Sequence, residues 1–290
     1  MTAVPAPLPA GACDCHVHVF GPAASYPFAP ARAYTPADAP LFALRALHRR
    51  LGMARTVIVQ PSPYGSDNAC LLDALAQLGD AARGVAVIDD TISGEALAAM
   101  HAAGVRGVRV NLETAGEHDP AVAGRRLMAA ARRVAPLGWH VQTYTSLATL
   151  AALAGLLPDL PTTLVIDHFG RAQADLGTSQ AGFDKLLSAL ASGRVYVKLS
   201  APYRISRAPG YADVAPLAQA LIDANPDRVL WGTDWPHPGT AAGVALRPEG
   251  ITPFRDEDNA RALARCLSWA GTAERVRKLL VDNPARLYMF

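Results

Sequence analysis

The chain reads as a single (β/α)8 barrel, on three observations. Short β-branched runs alternate with longer Ala- and Leu-rich stretches from one end of the 290 residues to the other, the pattern of repeated βαβ units around a parallel sheet. Eight such units fit a chain of this length, since one barrel takes roughly 250 residues. The runs end in polar side chains, and barrel enzymes place their chemistry at the C-terminal ends of the strands. An open doubly wound sheet would instead gather its site at one switch point, usually with a Gly-rich phosphate loop. No GxGxxG or Walker A pattern occurs.

Taken in order, the first strand spans 13–19 and carries Cys13-Asp14-Cys15-His16-Val17-His18-Val19. Residues two apart share a face of a strand, so His16 and His18 converge while Cys13 and Cys15 are expected on the opposite face as core thiols. Residues 21–40 form a Pro- and Gly-rich loop over the barrel mouth. Strands then follow at 56–60, 84–89, 107–112, 140–145, 163–168, 195–200 and 229–234. Helical stretches lie at 69–78, 94–103, 124–135, 147–156, 182–190 and 211–224. A second Pro/Gly-rich loop covers 236–253, and helices at 258–269 and 272–281 finish the chain. The polar strand ends are His18, Gln60, Asp89, Asn111, Tyr144, His168, Ser200 and Asp234. One domain is expected over 1–290, with 1–10 as a Pro-rich N-terminal tail lacking the cationic start of a signal peptide.

Bulk properties exclude several classes. The formal charge is only +2, with 27 Lys and Arg against 25 Asp and Glu, and the basic residues form no stripe for nucleic acid. No apolar run approaches the ~18 residues of a membrane span. Cys13, Cys15, Cys70 and Cys266 give neither a disulfide framework nor a zinc-ribbon spacing. A cytoplasmic setting and a small-molecule substrate are the expectation, and the sequence specifies no oligomeric state.

The chemistry-bearing candidates cluster at strand ends. His16, His18 and His168 offer imidazoles, and Asp234 closes the last strand, where a carboxylate can activate a water. Arg109, Arg171 and Arg204 are candidate anion clamps, because a guanidinium matches a carboxylate in bidentate fashion. Tyr144 shares a face with Gln142 and offers a hydrogen bond to substrate. Lys198 shares a face with Ser200 and is expected either there or paired with a buried carboxylate. Tyr34 is placed to cap the pocket or to pack beside it. Trp231 and Trp235 read as packing.

With His16, His18, His168 and Asp234 on strands one, six and eight, the chain resembles the amidohydrolase superfamily. Within it, the chain is most similar to the lactonase branch of 2-pyrone-4,6-dicarboxylate hydrolases. The likeness extends over nearly the whole chain. It includes Asp14-Cys15-His16-Val17-His18-Val19-Phe20-Gly21-Pro22, Ile166-Asp167-His168-Phe169-Gly170-Arg171, Trp231-Gly232-Thr233-Asp234-Trp235-Pro236-His237-Pro238 and Asn283-Pro284-Ala285-Arg286-Leu287-Tyr288. The resemblance implies lactone hydrolysis, with Asp234 as general base and the three histidines on the carbonyl. It further implies that Arg109, Arg204, Ser62 and Tyr144 bind the substrate's carboxylate and ring oxygens.

Two departures from that pattern stand out. The branch carries a second basic residue shortly after the strand-four arginine, where this chain reads Leu112-Glu113-Thr114-Ala115. This exchange weakens binding of a second carboxylate by about 2 kcal/mol if buried, so a substrate other than the pyrone-dicarboxylate is expected, sugar-acid lactones included. Strands four and five also lack the Lys or Glu and the His that complete many two-metal sites in the superfamily. No metal is expected; the alternative is one Zn²⁺ held by His16, His18, His168 and Asp234. A sugar-acid lactone isomerase, a mononuclear zinc lactonase and a non-catalytic metabolite-binding barrel are the competing readings.

Overall fold

The computed structural model describes residues 7–239 and 247–290. Eight strands form one parallel sheet in strictly sequential order. They are β1 Cys13–Val17, β2 Arg55–Val59, β3 Ala82–Ala86, β4 Val105–Asn111, β5 His140–Tyr144, β6 Leu164–Ile166, β7 Val195–Leu199 and β8 Val229–Trp231. The expected (β/α)8 barrel is therefore present, with helices around the sheet. Of the tail over 1–10, residues 1–6 lie outside the described residues, as do 240–246 of the second mouth loop.

The seam between β8 and β1 is closed by specific chemistry. Val17 bridges Trp235 in parallel, His18 N–H donates to the Trp235 carbonyl at 2.8 Å, and Asp234 N–H donates to the His16 carbonyl at 2.8 Å. The buried Asp14 carboxylate accepts from both Thr233 N–H (2.9 Å) and Thr233 Oγ1 (2.7 Å). Gly232 permits this approach, because a Cβ there would stand 2.6 Å from His16 N.

The first strand departs from simple alternation. Asp14 pairs with Thr56 and Val17 with Ile58, so three steps on β1 oppose two on β2, a bulge. Asp14 consequently faces Thr233 and His48, while His16 faces Asp167 and Lys198 inside the barrel. Cys13 and Cys15 pack with Val57, Val59, Val85, Val165, Tyr196, Leu230 and Tyr288. Tyr196 and Lys198 share a strand face, so these thiols lie in the barrel interior on the side of His16, not on the face opposite it. The bulge is the reason. They remain buried and free.

Helices mostly follow the sequence pattern, with shifted ends. An unanticipated helix, α1 Leu41–Leu51, joins β1 to β2 and buries the stripe Leu41, Leu44, Leu47 and Leu51. The helix expected from 124 begins at Pro120, with Asp119 accepting from Ala121 N–H: an N-cap followed by Pro at the first helical position. The helix expected from 211 begins at Ala215, because Gly210 and Tyr211 adopt positive φ. The last helix covers Asn283–Tyr288 and delivers Tyr288 to the barrel floor.

Strands β3, β6 and β8 end earlier than expected, at Ala86, Ile166 and Trp231. The chain then turns over the mouth, with His168 at φ 51° and Asp234 at φ 62°. Left-handed backbone at non-glycine residues is costly and collects at functional sites. Across the mouth, Thr35–Pro36 pairs in parallel with Ile251–Thr252, tying the two Pro/Gly-rich loops together.

Candidate active site

Three imidazoles converge on one carboxylate oxygen. Asp234 Oδ1 lies 3.4 Å from His16 Nε2, 3.5 Å from His18 Nε2 and 4.0 Å from His168 Nε2. All four side chains are buried. The other oxygen, Oδ2, accepts from Arg204 Nη2 at 3.0 Å and from the Tyr203 hydroxyl. The carboxylate is thus anchored on one side and open toward the histidines on the other. Burial pushes the Asp234 carboxyl up, but Arg204 and His168 outweigh it and hold it well below the ordinary range. Burial together with Asp234 raises the Tyr203 phenol well above its usual value, so it stays a proton donor.

A second tier fixes the imidazoles. His18 Nδ1 lies 2.8 Å from the Val59 carbonyl, which only accepts, so Nδ1 carries the hydrogen. His168 Nδ1 lies 2.8 Å from Ser200 Oγ. His16 Nδ1 lies 3.3 Å from Asp167 Oδ1 and 3.5 Å from Lys198 Nζ. Burial lowers His16 to about 4 and His168 well below its ordinary value, leaving both neutral near pH 7. Asp167 is held by Gln142 Nε2 at 3.1 Å and faces Arg109 Nη2 at 3.6 Å. Burial would raise its carboxyl, yet His16 and Lys198 hold it below the usual value. Lys198 Nζ donates to Gln142 Oε1 at 2.7 Å, and burial brings its ammonium down to about 8 despite Asp167. The alternative of a buried carboxylate partner for Lys198 is the one realised.

Above this floor, His18, Tyr34, Ser62, Arg109, Tyr144 and Arg204 line a cleft closed on one side by Pro238 and Gly239. Tyr34 is buried in that wall, and burial lifts its phenol to about 12. Arg171 stands one contact behind it: Nη1 donates to Tyr144 OH at 2.9 Å and Nη2 meets Glu113 Oε1 at 3.0 Å. Of the residues singled out from sequence, His16, His18, His168, Asp234, Arg109, Arg204, Tyr144, Ser62, Tyr34 and Asn111 come together around the cleft and floor, and Arg171 reaches it only through Tyr144. Asp89 does not join; it is exposed and caps a turn at Thr91.

Comparison with known proteins shows the same architecture and the same sequence pattern. The amidohydrolase family model matches residues 13–290. The chain belongs to the amidohydrolase family. A 2-pyrone-4,6-dicarboxylate hydrolase of Comamonas testosteroni is 41% identical, covering 97% of this chain and 91% of that protein. A 4-sulfomuconolactone hydrolase of Hydrogenophaga intermedia is 36% identical, covering 97% and 89%. A crystal structure of a probable 2-pyrone-4,6-dicarboxylic acid hydrolase from Acinetobacter baumannii with citric acid bound superposes with TM-score 0.80. It is 26% identical, covering 97% of this chain and 100% of that one.

His16, His18 and Asp234 place ligand atoms within 4.8 Å of one another. Among the described residues, no hydrogen bond reaches His16 Nε2 or Asp234 Oδ1. His18 Nδ1 donates to the Val59 carbonyl, so its Nε2 lone pair faces a carboxylate oxygen, and His16 Nε2 does the same when its Nδ1 donates to Asp167 Oδ1 rather than accepting from Lys198 Nζ. Such a group of acceptors needs a positive charge among them, either a shared proton or a cation. The donors therefore fit one ion such as Zn²⁺. Around Asp167, by contrast, the Arg109 and Lys198 cations lie where a second ion would need ligands.

Two participants escaped the sequence reading. Asp167 and Tyr203 each act through a partner distant in sequence. The available signals were local: Asp167 directly precedes His168 after an apolar run, and Tyr203 directly precedes Arg204.

Proposed function

We propose that this amidohydrolase hydrolyses the cyclic ester of a carboxylated small molecule, with Asp234 as general base. One observation carries the reading: Asp234 has one oxygen held by Arg204 and Tyr203, while the other is open toward three imidazole nitrogens. The lactone hydrolases among its relatives support the reaction class.

The substrate carboxylate docks on Arg204 and Arg109 in the cleft, which directs the lactone carbonyl toward Asp234. A water beside Oδ1 gives its proton to the carboxylate as its oxygen adds to the carbonyl carbon. The oxyanion develops beside the Nε2 atoms of His16 and His168, which carry the hydrogen when Nδ1 accepts from Lys198 Nζ and from Ser200 Oγ respectively; a preorganised donor is worth roughly 3 kcal/mol per contact. Collapse breaks the acyl carbon–ring oxygen bond, and the proton on Asp234 passes to the departing oxygen. The product is the open hydroxy acid, or its keto tautomer when the ring oxygen is enolic. Arg204 serves both Asp234 and the substrate, so an arriving carboxylate draws the guanidinium away and raises the base strength of Asp234.

Were Zn²⁺ resident, His16, His18, His168 and Asp234 would hold it, and it would polarise the carbonyl and acidify a bound water. The unpartnered His16 Nε2 and Asp234 Oδ1 favour that second reading; the Arg204 counter-charge on Asp234 favours the metal-free one. The deciding experiment is acid release from a panel of carboxylated lactones by chelator-stripped enzyme. Full turnover establishes the metal-free route, and recovery only with added Zn²⁺ establishes the other. With either, Asp234→Asn lowers kcat by about a thousandfold. Turnover within about tenfold of the parent removes Asp234 from the role.

A further inference from the structure

We infer that the substrate is a monoanion, a lactone with one carboxylate and an otherwise neutral frame, and that Glu113 sets this limit. The inference rests on the lactonase reading for the reaction, but on the charges around Tyr144 for the substrate. Three guanidiniums surround the Tyr144 ring: Arg109, Arg171 and Arg204 stand 6.0, 5.6 and 5.5 Å from its centroid. Arg109 and Arg204 line the cleft directly. They are the pair available to one carboxylate.

Arg171 is differently committed. Glu113 Oε1 sits 3.0 Å from its Nη2, and Nη1 donates to Tyr144 OH. The ion pair is about a quarter exposed on each side, close enough to the cleft to cancel the arginine's field there. Among the described residues Glu113 Oε2 is buried with no hydrogen-bond partner, behind Tyr144. The carboxylate thus neutralises Arg171 and leaves, among the described residues, no third free cation beside the cleft. A second substrate carboxylate would be buried there without a counter-charge, whereas a neutral group would not.

Two unreactive probes test this: benzoate with one carboxylate and benzene-1,3-dicarboxylate with two, titrated calorimetrically into the full-length protein and into Glu113→Gln. The parent is expected to bind benzoate at least about tenfold more tightly than the dicarboxylate. Glu113→Gln frees Arg171, and is expected to shift that ratio about tenfold toward the dicarboxylate with benzoate affinity nearly unchanged. Glu113→Ala, which also releases Arg171, should shift it the same way. Preference of the parent for the dicarboxylate, a ratio that neither variant moves, or binding of neither probe overturns the inference. Failure of the lactonase reading looks different: no acid is released from any carboxylated lactone while the binding ratio stands.

Discussion

Tyr203 and Lys198 show how much of the site depends on side chains that move no proton in the proposed reaction. The Tyr203 hydroxyl and Arg204 together hold Asp234 Oδ2, which aims Oδ1 at the histidines. Removing only the hydroxyl leaves Arg204 in place. Tyr203→Phe is therefore expected to lower kcat about tenfold with KM changed by less than about threefold, read by steady-state kinetics; a loss confined to KM would instead place the tyrosine on substrate. Lys198 is completely buried, with Gln142, His16 and Asp167 around it. Lys198→Met leaves Asp167 with Arg109 as its remaining cation, so destabilisation of about 3 kcal/mol is expected, measured by urea unfolding at neutral pH. Sequence made His16, His18, His168 and Asp234 visible because each lies at the end of an apolar run, which a barrel places at its mouth. It hid Asp167 and Tyr203, and the Arg171 partner of Glu113, because the partners come from other strands: His16 from β1, Asp234 from beyond β8, Arg171 from beyond β6.

Among the elements, the β1 bulge and the β8 seam do the most to place the histidines. Strand alternation predicted convergence of His16 and His18, and both do face Asp234. The same rule set Cys15 on the other face, and there the bulge overrode it. A bulge inserts one residue without altering composition, so an alternating pattern such as Cys-Asp-Cys-His does not reveal it. The barrel units were legible because apolar runs of period two and amphipathic helical stretches recur in turn; their ends were less so, since left-handed turns at His168 and Asp234 cut the strands short. Gly232 is the sharpest test of the seam. A Cβ there would press on His16 N at 2.6 Å and His16 Cβ at 2.7 Å, atoms of the backbone and its root that cannot swing aside. Gly232→Ala is expected to lower the melting temperature by several degrees, roughly 2 kcal/mol of overpacking strain, and to cut turnover through displaced His16. Unchanged melting and activity would mean that the seam tolerates movement.

At the scale of the whole molecule, buried neutral imidazoles make stability depend on pH in a defined window. No helix among the described residues is long and apolar enough to cross a membrane. Burial lowers His16 from 6.5 to about 4 and His140 from 6.5 to about 3. His140 sits far from Asp234, packed over Gly107 and edge-on to Tyr288 at the barrel floor. Above pH 6.5 both imidazoles are neutral folded or unfolded, and the full stability is present. Below it, the unfolded chain takes up protons that the folded chain refuses, so stability falls as pH drops toward the folded values. At pH 5 each imidazole has removed about 2 kcal/mol, a substantial share of the 5–15 kcal/mol that holds a typical domain together. The carboxylates do not mask this, because Asp234 and Asp167 are held below their ordinary range and titrate at lower pH. Urea midpoints measured at about pH 7.5 and about pH 5 should therefore differ, with the acid midpoint lower. His140→Gln, remote from the cleft, should reduce that difference by about 2 kcal/mol of stability, with His16, His168 and His237, all lowered by burial, accounting for the rest. A midpoint that stays level across this window would show that these imidazoles are charged inside the barrel, and with it the neutral His16 on which the proposed chemistry at Asp234 depends would be lost.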